Sequence, residues 1–416
     1  MADVQSLAPG LSHIVFLERA AREHDSAQSR FGQAAFLVLR LVDLLGGRQT
    51  APNGDDLFGY QAAATARYCQ EQLEPGPQTD RLVDLVSTAS YARRRDDPGL
   101  IAPVMFDLAR DLIIAGRFDE ALDVLTTFEG AAGARLEPSA AITAAMLAGR
   151  AMRHAARFDE ADAAYRRAGA LAAAIGDRRM EAFSRVGCAI VLHWKGNLAA
   201  AERAYLDLQD DARTLGDPLL ESQVEDGLGI VLGMRGQYPD AAPHFWKAFE
   251  LARDYPEDAI AALHNLGYTM CRLGEVEAAE RAFRFILKQG GSVELTNNVL
   301  IEMMHCASFR RDRVGFARWS AECGRVLERM LPNQVADYHL KLGIGLARFG
   351  RFDRAGSELQ LALNAARVHG LHEFEFRIER ILAGLAGCEL QQEVETAPPA
   401  WATVSTVATA LAGLVP

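Results

Sequence analysis

Residues 228–252 read LGIVLGMRGQYPDAAPHFWKAFELA, and the stretch LGYTMCRLGEVEAAERAFRFIL at 266–287 repeats its pattern of small residues. In both stretches a glycine in the first apolar run is followed by a second glycine and then by an alanine, at the same spacings. These residues are Gly229, Gly236 and Ala241 in the first stretch, and Gly267, Gly274 and Ala279 in the second. Two segments with such shared spacings indicate that the chain is built from repeated units.

The repeated element is a six-residue motif that begins with glycine, has an apolar third residue and ends with alanine. Its copies are GRFDEA at 116–121, ARFDEA at 156–161, GNLAAA at 196–201, GQYPDA at 236–241, GEVEAA at 274–279 and GRFDRA at 350–355, with a weak copy, DRVGFA, at 312–317. Successive copies begin 40 residues apart over the first four and 38 residues apart over the rest. A nearly constant period in this range is typical of a solenoid of helical repeats.

Each unit is predicted to contain two helices that meet at the motif. Glycine can close the first helix in a left-handed conformation, and an acidic residue suits the start of the second. The motif alanines lie where the two helices must cross closely: Ala121, Ala161, Ala201, Ala241, Ala279, Ala317 and Ala355. Four residues later come side chains that we expect to fill the space between units: Leu125, Tyr165, Tyr205, Phe245, Phe283, Ala321 and Leu359. The partner positions on the first helices are small: Ala109, Gly149, Ala189, Gly229, Gly267 and Gly343.

This pattern resembles the tetratricopeptide repeat family, through the small residue before the turn, the glycine, the apolar residue, the alanine and the aromatic residue after it. The usual unit of that family is ~34 residues long. The surplus here lies between units, as in AIGDRRMEA at 174–182 and TLGDPLLES at 214–222, where the Gly-Asp pair is predicted to end one helix and cap the next. The resemblance implies an all-α fold, a right-handed superhelical solenoid of antiparallel helix pairs.

Seven recognisable repeats cover residues 101–368. Residues 1–100 also have helical patterns, which we interpret as degenerate helix pairs or an N-terminal cap of the stack. The predicted helices span residues 11–25, 28–46, 57–73 and 79–95. A separate N-terminal domain is the alternative.

The C-terminal end has two parts. Residues 369–392 fit a capping helix. Residues 393–416 contain Pro398 and Pro399 and are apolar but short, so we predict a flexible or loosely docked tail. The alternative is a segment that docks in a groove of a partner or of a neighbouring copy.

The composition narrows the class of partner. The formal net charge is −11, which argues against nucleic acid or an anionic membrane surface. The six cysteines are scattered without a CxxC pair, and neither a signal peptide nor a membrane-spanning run is apparent. We therefore expect a cytoplasmic protein, and the excess of arginine over lysine suggests a bacterial one.

The sequence offers no catalytic constellation. It has no phosphate-binding loop, dinucleotide-binding glycine pattern, zinc-protease motif or nucleophile elbow. His369 and His372 have the spacing of one helix face, but no third metal ligand is evident near them. Acidic pairs such as Asp119 and Glu120 recur with the repeat and fit a solvated helix start. We therefore expect no enzymatic activity, no cofactor and no bound metal.

In a solenoid of helix pairs the first helices line a concave groove, which is the usual binding surface. Counting from each turn gives the groove candidates on these helices. They are Phe106, Arg110 and Ile113 in the first unit; Met146, Arg150 and Arg153 in the second; Phe183, Val186, Ile190 and His193 in the third; Asp226, Ile230 and Gly233 in the fourth; His264, Tyr268 and Cys271 in the fifth; and Leu340, Ile344 and Ala347 in the seventh. His154 and Trp194 lie beside them.

Two features of this set bear on the ligand. The first three units of an acidic chain place basic side chains on the groove, and arginine can bind a carboxylate through two parallel hydrogen bonds. In peptide-binding members of the family, an asparagine just before a Leu-Gly pair commonly binds the peptide backbone, and Asn265 matches it. Solvation, ion pairs with neighbouring acidic residues or a local polar contact are the alternatives.

These features predict a non-enzymatic scaffold or adaptor that binds a peptide segment of a partner protein, with acidic and apolar character, in the groove. The alternative is a bacterial sensor or regulator whose solenoid binds a signalling peptide or a small ligand. No helix-turn-helix with a basic recognition helix is evident in residues 1–100, which disfavours that alternative. Homo-oligomerisation is compatible with either function.

Overall fold

The structure is a computed structural model, and it describes residues 12–22, 26–46, 54–369, 371–386 and 401–414. Within these ranges the chain is helical and contains no β-strand, so the expected all-α fold is confirmed. Four helices precede the repeats: α1 (Ile14–Arg22), α2 (Ser26–Gly46), α3 (Gly54–Gln72) and α4 (Pro77–Arg95). No described helix has the length and apolar character that crossing a membrane requires.

Seven helix pairs follow, and each pair corresponds to one predicted repeat. They are α5 (Ala102–Ile114) with α6 (Phe118–Ala132), α7 (Pro138–His154) with α8 (Phe158–Ile175), α9 (Arg178–Trp194) with α10 (Leu198–Leu215), α11 (Pro218–Met234) with α12 (Tyr238–Leu251), α13 (Pro256–Arg272) with α14 (Val276–Gln289), α15 (Val293–Phe309) with α16 (Arg313–Val326), and α17 (Pro332–Arg348) with α18 (Phe352–Val368). The last two described helices are α19 (His372–Ala386) and α20 (Trp401–Ala412). The predicted capping helix is α19, and residues 387–392 of that prediction lie outside the described residues.

The chain divides into two compact units, one up to Asn197 and one from Leu198 onward. In the first unit a single hydrophobic cluster includes the buried side chains of Phe16 in α1, Leu82 in α4 and Phe128 in α6. The described helices before the first repeat therefore share a core with α5, α6 and α7.

Glycines on the first helices make room for side chains from the second helix of the same repeat. The pairs are Tyr165 with Gly149, Phe245 with Gly229, and Phe283 with Gly267. A Cβ atom added at these glycines would come within 2.8, 2.7 and 2.6 Å of the respective ring. Atoms in a close-packed interior do not approach so closely, so the ring position requires glycine opposite it. The predicted role of the small positions is confirmed for these repeats.

The helix ends also follow the sequence pattern. Gly116 and Gly236 close their first helices with left-handed backbone, at φ 71° and 78°. Between repeats, Gly176 ends α8 with φ 74°, and the carboxylate of Asp177 caps α9 by accepting a hydrogen bond from the Met180 N–H at 2.9 Å. The predicted caps between units are therefore present.

The sixth repeat departs from the predicted register by one residue. The left-handed residue of its turn is Arg311, with φ 58°, and not Asp312. The carboxylate of Asp312 instead caps α16, accepting a hydrogen bond from the Gly315 N–H at 2.9 Å. A capping residue must precede the first helical turn, so the motif copy begins at residue 311 rather than 312.

This shift changes which side chain enters the core of the sixth repeat. Phe316 is buried, whereas Ala317, which we expected at the helix crossing, and Ala321, which we expected between units, are exposed. The Phe316 ring packs against Gly345 of α17. The predicted small contact at Ala317 is therefore wrong, and a ring-on-glycine contact with the next repeat takes its place.

The C-terminal tail, which we expected to be flexible or loosely docked, contains a helix at residues 401–412. These residues form α20, which packs against α12 and α14 within the second unit. Val404, Val407 and Leu411 of α20 are buried in the same hydrophobic cluster as Phe249 and Phe283. The three side chains recur at helical spacing, which gives the segment an apolar face to bury. Residues 393–400 lie outside the described residues.

Candidate functional site

The binding surface expected from the sequence is the face built by the first helices of successive repeats, here called the first-helix face. In the first unit α5 contacts α7 and α7 contacts α9. In the second unit α11, α13, α15 and α17 contact one another in the same successive way. Each unit therefore presents a continuous row of first helices, and the two rows are described separately.

In the first unit, Arg110 is engaged by a neighbouring acidic residue. It is exposed, and its guanidinium lies 2.9 Å from the carboxylate of Asp107. Arg81 of α4 approaches the same carboxylate at 2.7 Å. Arg110 and Asp107 also line an open cleft of about 420 Å³ between α5 and α7, together with Phe106 and Thr143. The ion pairs reduce the charge that Arg110 could offer to an anionic ligand.

Arg153, at the end of α7, is in a different situation. One guanidinium nitrogen, Nη2, lies 3.2 Å from Nε2 of His154. Its Nε atom is buried and has no hydrogen-bond partner among the described residues. A buried N–H without an acceptor costs free energy, because the water that it loses is not replaced. The guanidinium of Arg153 therefore has unused hydrogen-bonding capacity, with its Nε below the surface.

The two histidines beside Arg153 are held neutral. Burial and the positive charge of Arg153 lower the pKa of His193, which is 2% exposed, to about 4. His154 is exposed overall, but desolvation of its ring, which stacks on Phe118 at 5.7 Å, and the charges of Arg153 and Arg150 lower its pKa. At neutral pH the positive charge of this region therefore resides on the two arginines.

The apolar candidates of the first unit have mixed exposure. Met146 is half-buried and packs against the clusters that contain Ile142 and Tyr165. Ile190 is half-buried as well, and Trp194 exposes 56% of its surface. The row α7–α9 therefore combines a cationic end with partly exposed apolar side chains.

In the second unit, Asn265 is bound to the neighbouring repeat. Its Nδ2 donates a hydrogen bond to Oδ1 of Asp226 at 2.9 Å, from α13 to α11. Burial raises the pKa of Asp226 to about 6, although the bond from Asn265 acts in the opposite direction. Ile230, one turn further along α11, is half-buried against the hydrophobic cluster of this unit. One of the two amide N–H groups of Asn265 thus makes a local polar contact, which was the alternative to ligand binding.

The third and fourth repeats have glycine where Asn265 stands, and the structure gives the reason. A Cβ atom at Gly187 would lie 2.5 Å from the ring of Tyr165 on the preceding second helix. Gly227 faces the ring of Tyr205 in the same way. A side chain at these two positions has no room, so the asparagine pattern is limited by packing in these repeats.

A charged cluster that was not predicted from the sequence lies on the same face. Lys341 of α17 is 3% exposed, and its Nζ donates to Glu302 of α15 and to Asp337, both at 2.6 Å. Burial opposes the charge of Lys341, but the two carboxylates outweigh it and raise the pKa of the amine. The Nζ atom also lies 6.0 Å from the centre of the Tyr268 ring. A lysine inside the apolar run HLKLGIGLA was the sequence signal that could have revealed this cluster.

Three polar atoms around this cluster have no hydrogen-bond partner among the described residues. They are Oε2 of Glu302, Nδ1 of His305 and Nε2 of His264. Burial lowers the pKa of His264 to about 4, and burial with nearby positive charge, first of Lys341, lowers the pKa of His305. Both imidazoles are therefore neutral at pH 7, and each can donate or accept a hydrogen bond.

The part of the chain that the structure describes holds no group of three or more His, Cys, Asp or Glu residues that could hold a metal ion. His369 is exposed at the end of α18, whereas the side chain of His372 lies outside the described residues.

Comparison with known proteins shows the fold. No family model matches the sequence, and no curated protein matches it. Among solved structures, the Rap conjugation gene regulator of the plasmid pLS20 in complex with the Phr* peptide is similar, with a TM-score of 0.54 and 13% identity; the match covers 87% of this chain and 98% of that chain. NprR in complex with its cognate peptide NprX has a TM-score of 0.51 and 12% identity, over 83% of this chain and 99% of that one.

The apo form of the quorum sensor NprR from B. thuringiensis is similar too, with a TM-score of 0.50 and 11% identity, over 81% of this chain and 98% of that chain. At such identities the likeness concerns the fold alone. The chain is a helical repeat protein with a tetratricopeptide-like fold, as its sequence repeats predicted.

Proposed function

We propose that this protein is a non-enzymatic adaptor whose first-helix face binds a peptide segment of a partner protein. The observation that carries the proposal is Arg153, whose buried Nε has no acceptor among the described residues. Its partner in the complex would be a carboxylate, because a guanidinium binds a carboxylate through two parallel N–H donors. Arg150, one turn away on α7, adds a second positive charge.

The apolar part of the segment would contact the half-buried and exposed side chains next to these arginines. Ile190 and Trp194 of α9 follow Arg150 and Arg153 of α7 along the row. Exposed tryptophan is frequent at interfaces, where its large surface is buried with little loss of side-chain entropy. The partner segment is therefore expected to carry an acidic residue beside apolar ones.

In the second unit, Asn265 would bind the backbone of an extended segment. One amide N–H is held by Asp226, and an amide group has a second N–H and a carbonyl oxygen. Tyr268 lies one turn further along α13 and offers a ring to a side chain of the segment. His264, which precedes Asn265, is neutral and would add no charge to this part of the face.

The test is affinity capture from the native cells, read by mass spectrometry, with the wild type beside the Arg150→Glu, Arg153→Glu variant. The matched control is Arg166→Glu, Arg167→Glu, which makes the same charge change on α8, the second helix of that repeat. We expect one partner that is captured by the wild type and the control but lost from the first variant. Circular dichroism checks that all three proteins keep the same helical content. Equal capture by all three proteins would exclude the arginine site.

The second candidate is a sensor or regulator that binds a signalling peptide or a small ligand on the same face. It is supported by the similarity of fold to the quorum sensor NprR and to the Rap conjugation gene regulator, which applies at the level of the fold only. A ligand-dependent change in small-angle scattering from the purified protein, without a captured protein partner, would favour this candidate over the adaptor.

A further inference from the structure

Helix α20 is a short apolar helix held by one surface. Its sequence, WATVSTVATALA, contains no charged residue. Val404, Val407 and Leu411 are 1%, 4% and 0% exposed, whereas Ser405 and Thr409 on the other side are exposed. A helix of this length is marginal in water by itself. The contact with the rest of the unit therefore determines whether α20 is folded.

The surface that receives α20 belongs to α12 and α14, the second helices of two successive repeats. This surface, here called the outer groove, is part of a cluster rich in aromatic residues. The Trp246 and Phe249 rings are 5.5 Å apart, and the Phe249 and Phe285 rings are 6.3 Å apart. Removing α20 would expose part of an apolar cluster, and large exposed apolar patches on soluble proteins are usually covered by a binding partner.

The connection between α19 and α20 consists of residues 387–400. Fourteen residues can span at most about 50 Å when fully extended. A connection of this length permits α20 to leave the outer groove of its own chain and to reach the same groove of another chain. The attachment also gives the intramolecular contact an advantage, because it keeps α20 at an effective concentration on the order of millimolar near its own groove.

We infer that the outer groove is a helix-docking site and that it accepts α20 of a second copy when its own α20 is released. The docked helix shows what fits: an uncharged helix with three apolar side chains on one face. The α20 of a second copy has the same sequence. If two copies exchange their α20 helices, each outer groove therefore keeps the same contacts and no new surface is required. This contact lies on the second helices, so it is independent of the peptide site proposed above.

A fluorescent peptide of residues 400–414 serves as the probe for the docking site. The full-length Val407→Asp, Leu411→Asp variant places charge on the buried face of α20 and releases it. The matched control, Ser405→Asp, Thr409→Asp, places the same charge on the exposed face. We expect the released variant to bind the probe in fluorescence anisotropy. The wild type and the control should bind at least about tenfold more weakly, because their own α20 competes.

Two results would overturn the docking site: equal binding of the probe to all three proteins, or no binding to the released variant with its helical content intact. A probe peptide that carries the same two aspartates should not bind to any of them.

Light scattering then tests the exchange between copies. We expect the dimer fraction of the wild type and the control to rise with protein concentration, while the released variant stays monomeric. A wild type that remains monomeric at every concentration would overturn the exchange. A released variant that dimerises equally would overturn it as well, because dimers would then form through another surface.

Discussion

The ring of Tyr205 occupies the space in front of Gly227, so that a side chain at residue 227 would overlap it. This contact joins the second helix of one repeat to the first helix of the next. Gly227 occupies the same place in its repeat as Asn265 does in the fifth repeat. Packing between repeats therefore excludes, at residue 227, the kind of side chain that we propose as a ligand contact in the fifth repeat.

Replacing this glycine tests the contact. Alanine is the better helix former by about 1 kcal/mol, but at residue 227 we expect Gly227→Ala to destabilise the protein by about 1–3 kcal/mol, since the methyl group overpacks the ring. Gly233→Ala in the same helix is the control, because no atom lies within 4 Å of an added Cβ there. Thermal unfolding compares the two, and an equal melting temperature for both variants would contradict the overlap.

The buried amine of Lys341 gives a second prediction. Lys341→Ala leaves the carboxylates of Glu302 and Asp337 without their cation, and we expect a loss of about 3–5 kcal/mol. Lys195→Ala is the comparison: it removes an amine that lies 2.7 Å from Asp159 at an exposed site, where solvent screens the pair, so we expect a much smaller loss. Urea unfolding followed by circular dichroism measures both.

A double variant separates the charge from the packing. Adding Glu302→Leu to Lys341→Ala removes one of the two carboxylates that have lost their cation. The double variant should lose less stability than the sum of the two single variants. Additive losses would indicate that the Lys341–Glu302 bond is not the source of the effect.

The carboxyl group of Asp226 predicts a dependence on pH. Its pKa in the folded protein is about 6, above the ordinary value of 3.8. Between these values the folded state binds more protons than the unfolded state, so stability falls as the pH rises through this window. Asp226→Asn keeps an acceptor for Asn265 and removes the charge. We expect it to stabilise the protein by on the order of 1–3 kcal/mol at pH 7.5 and to have little effect at pH 4.

Melting temperatures of Asp226→Asn and the wild type at the two pH values check this prediction. Glu250→Gln, which neutralises an exposed carboxylate of the same unit, is the control and should shift the melting temperature little at either pH. A stabilisation by Asp226→Asn that is the same at pH 4 and pH 7.5 would argue against a raised pKa.

The repeat architecture was predictable because its signals are steric and local. A large side chain on one helix requires a small residue opposite it, as at Gly149 and Tyr165, so the pair recurs at a fixed spacing. The sixth repeat was misplaced by one residue because Arg311 adopts the left-handed conformation that glycine marks elsewhere. When the turn residue is not glycine, its own identity does not mark where the turn lies.

The site was less predictable, because its contacts join helices that are far apart in the sequence. Asn265 was identified from its place in the repeat, but its partner Asp226 was identified only as a groove position. Lys341 and Glu302 are 39 residues apart in the sequence. Neither segment contains a signal that identifies the other as its partner. Helix α20 was missed for a similar reason: a short apolar helix is recognised by the surface that it covers, and that surface is about 150 residues earlier.

Ala156 and Arg311 each hold a left-handed backbone that costs a residue with a side chain roughly 1–2 kcal/mol. Two of the seven turns thus carry a residue that fits the local geometry poorly. In a stack, each repeat draws its stability from its neighbours, so natural selection acts on the whole row rather than on every turn. Mutational drift can then erase the signature of single repeats while the architecture persists, and the turns at Ala156 and Arg311 keep the left-handed geometry without its usual residue.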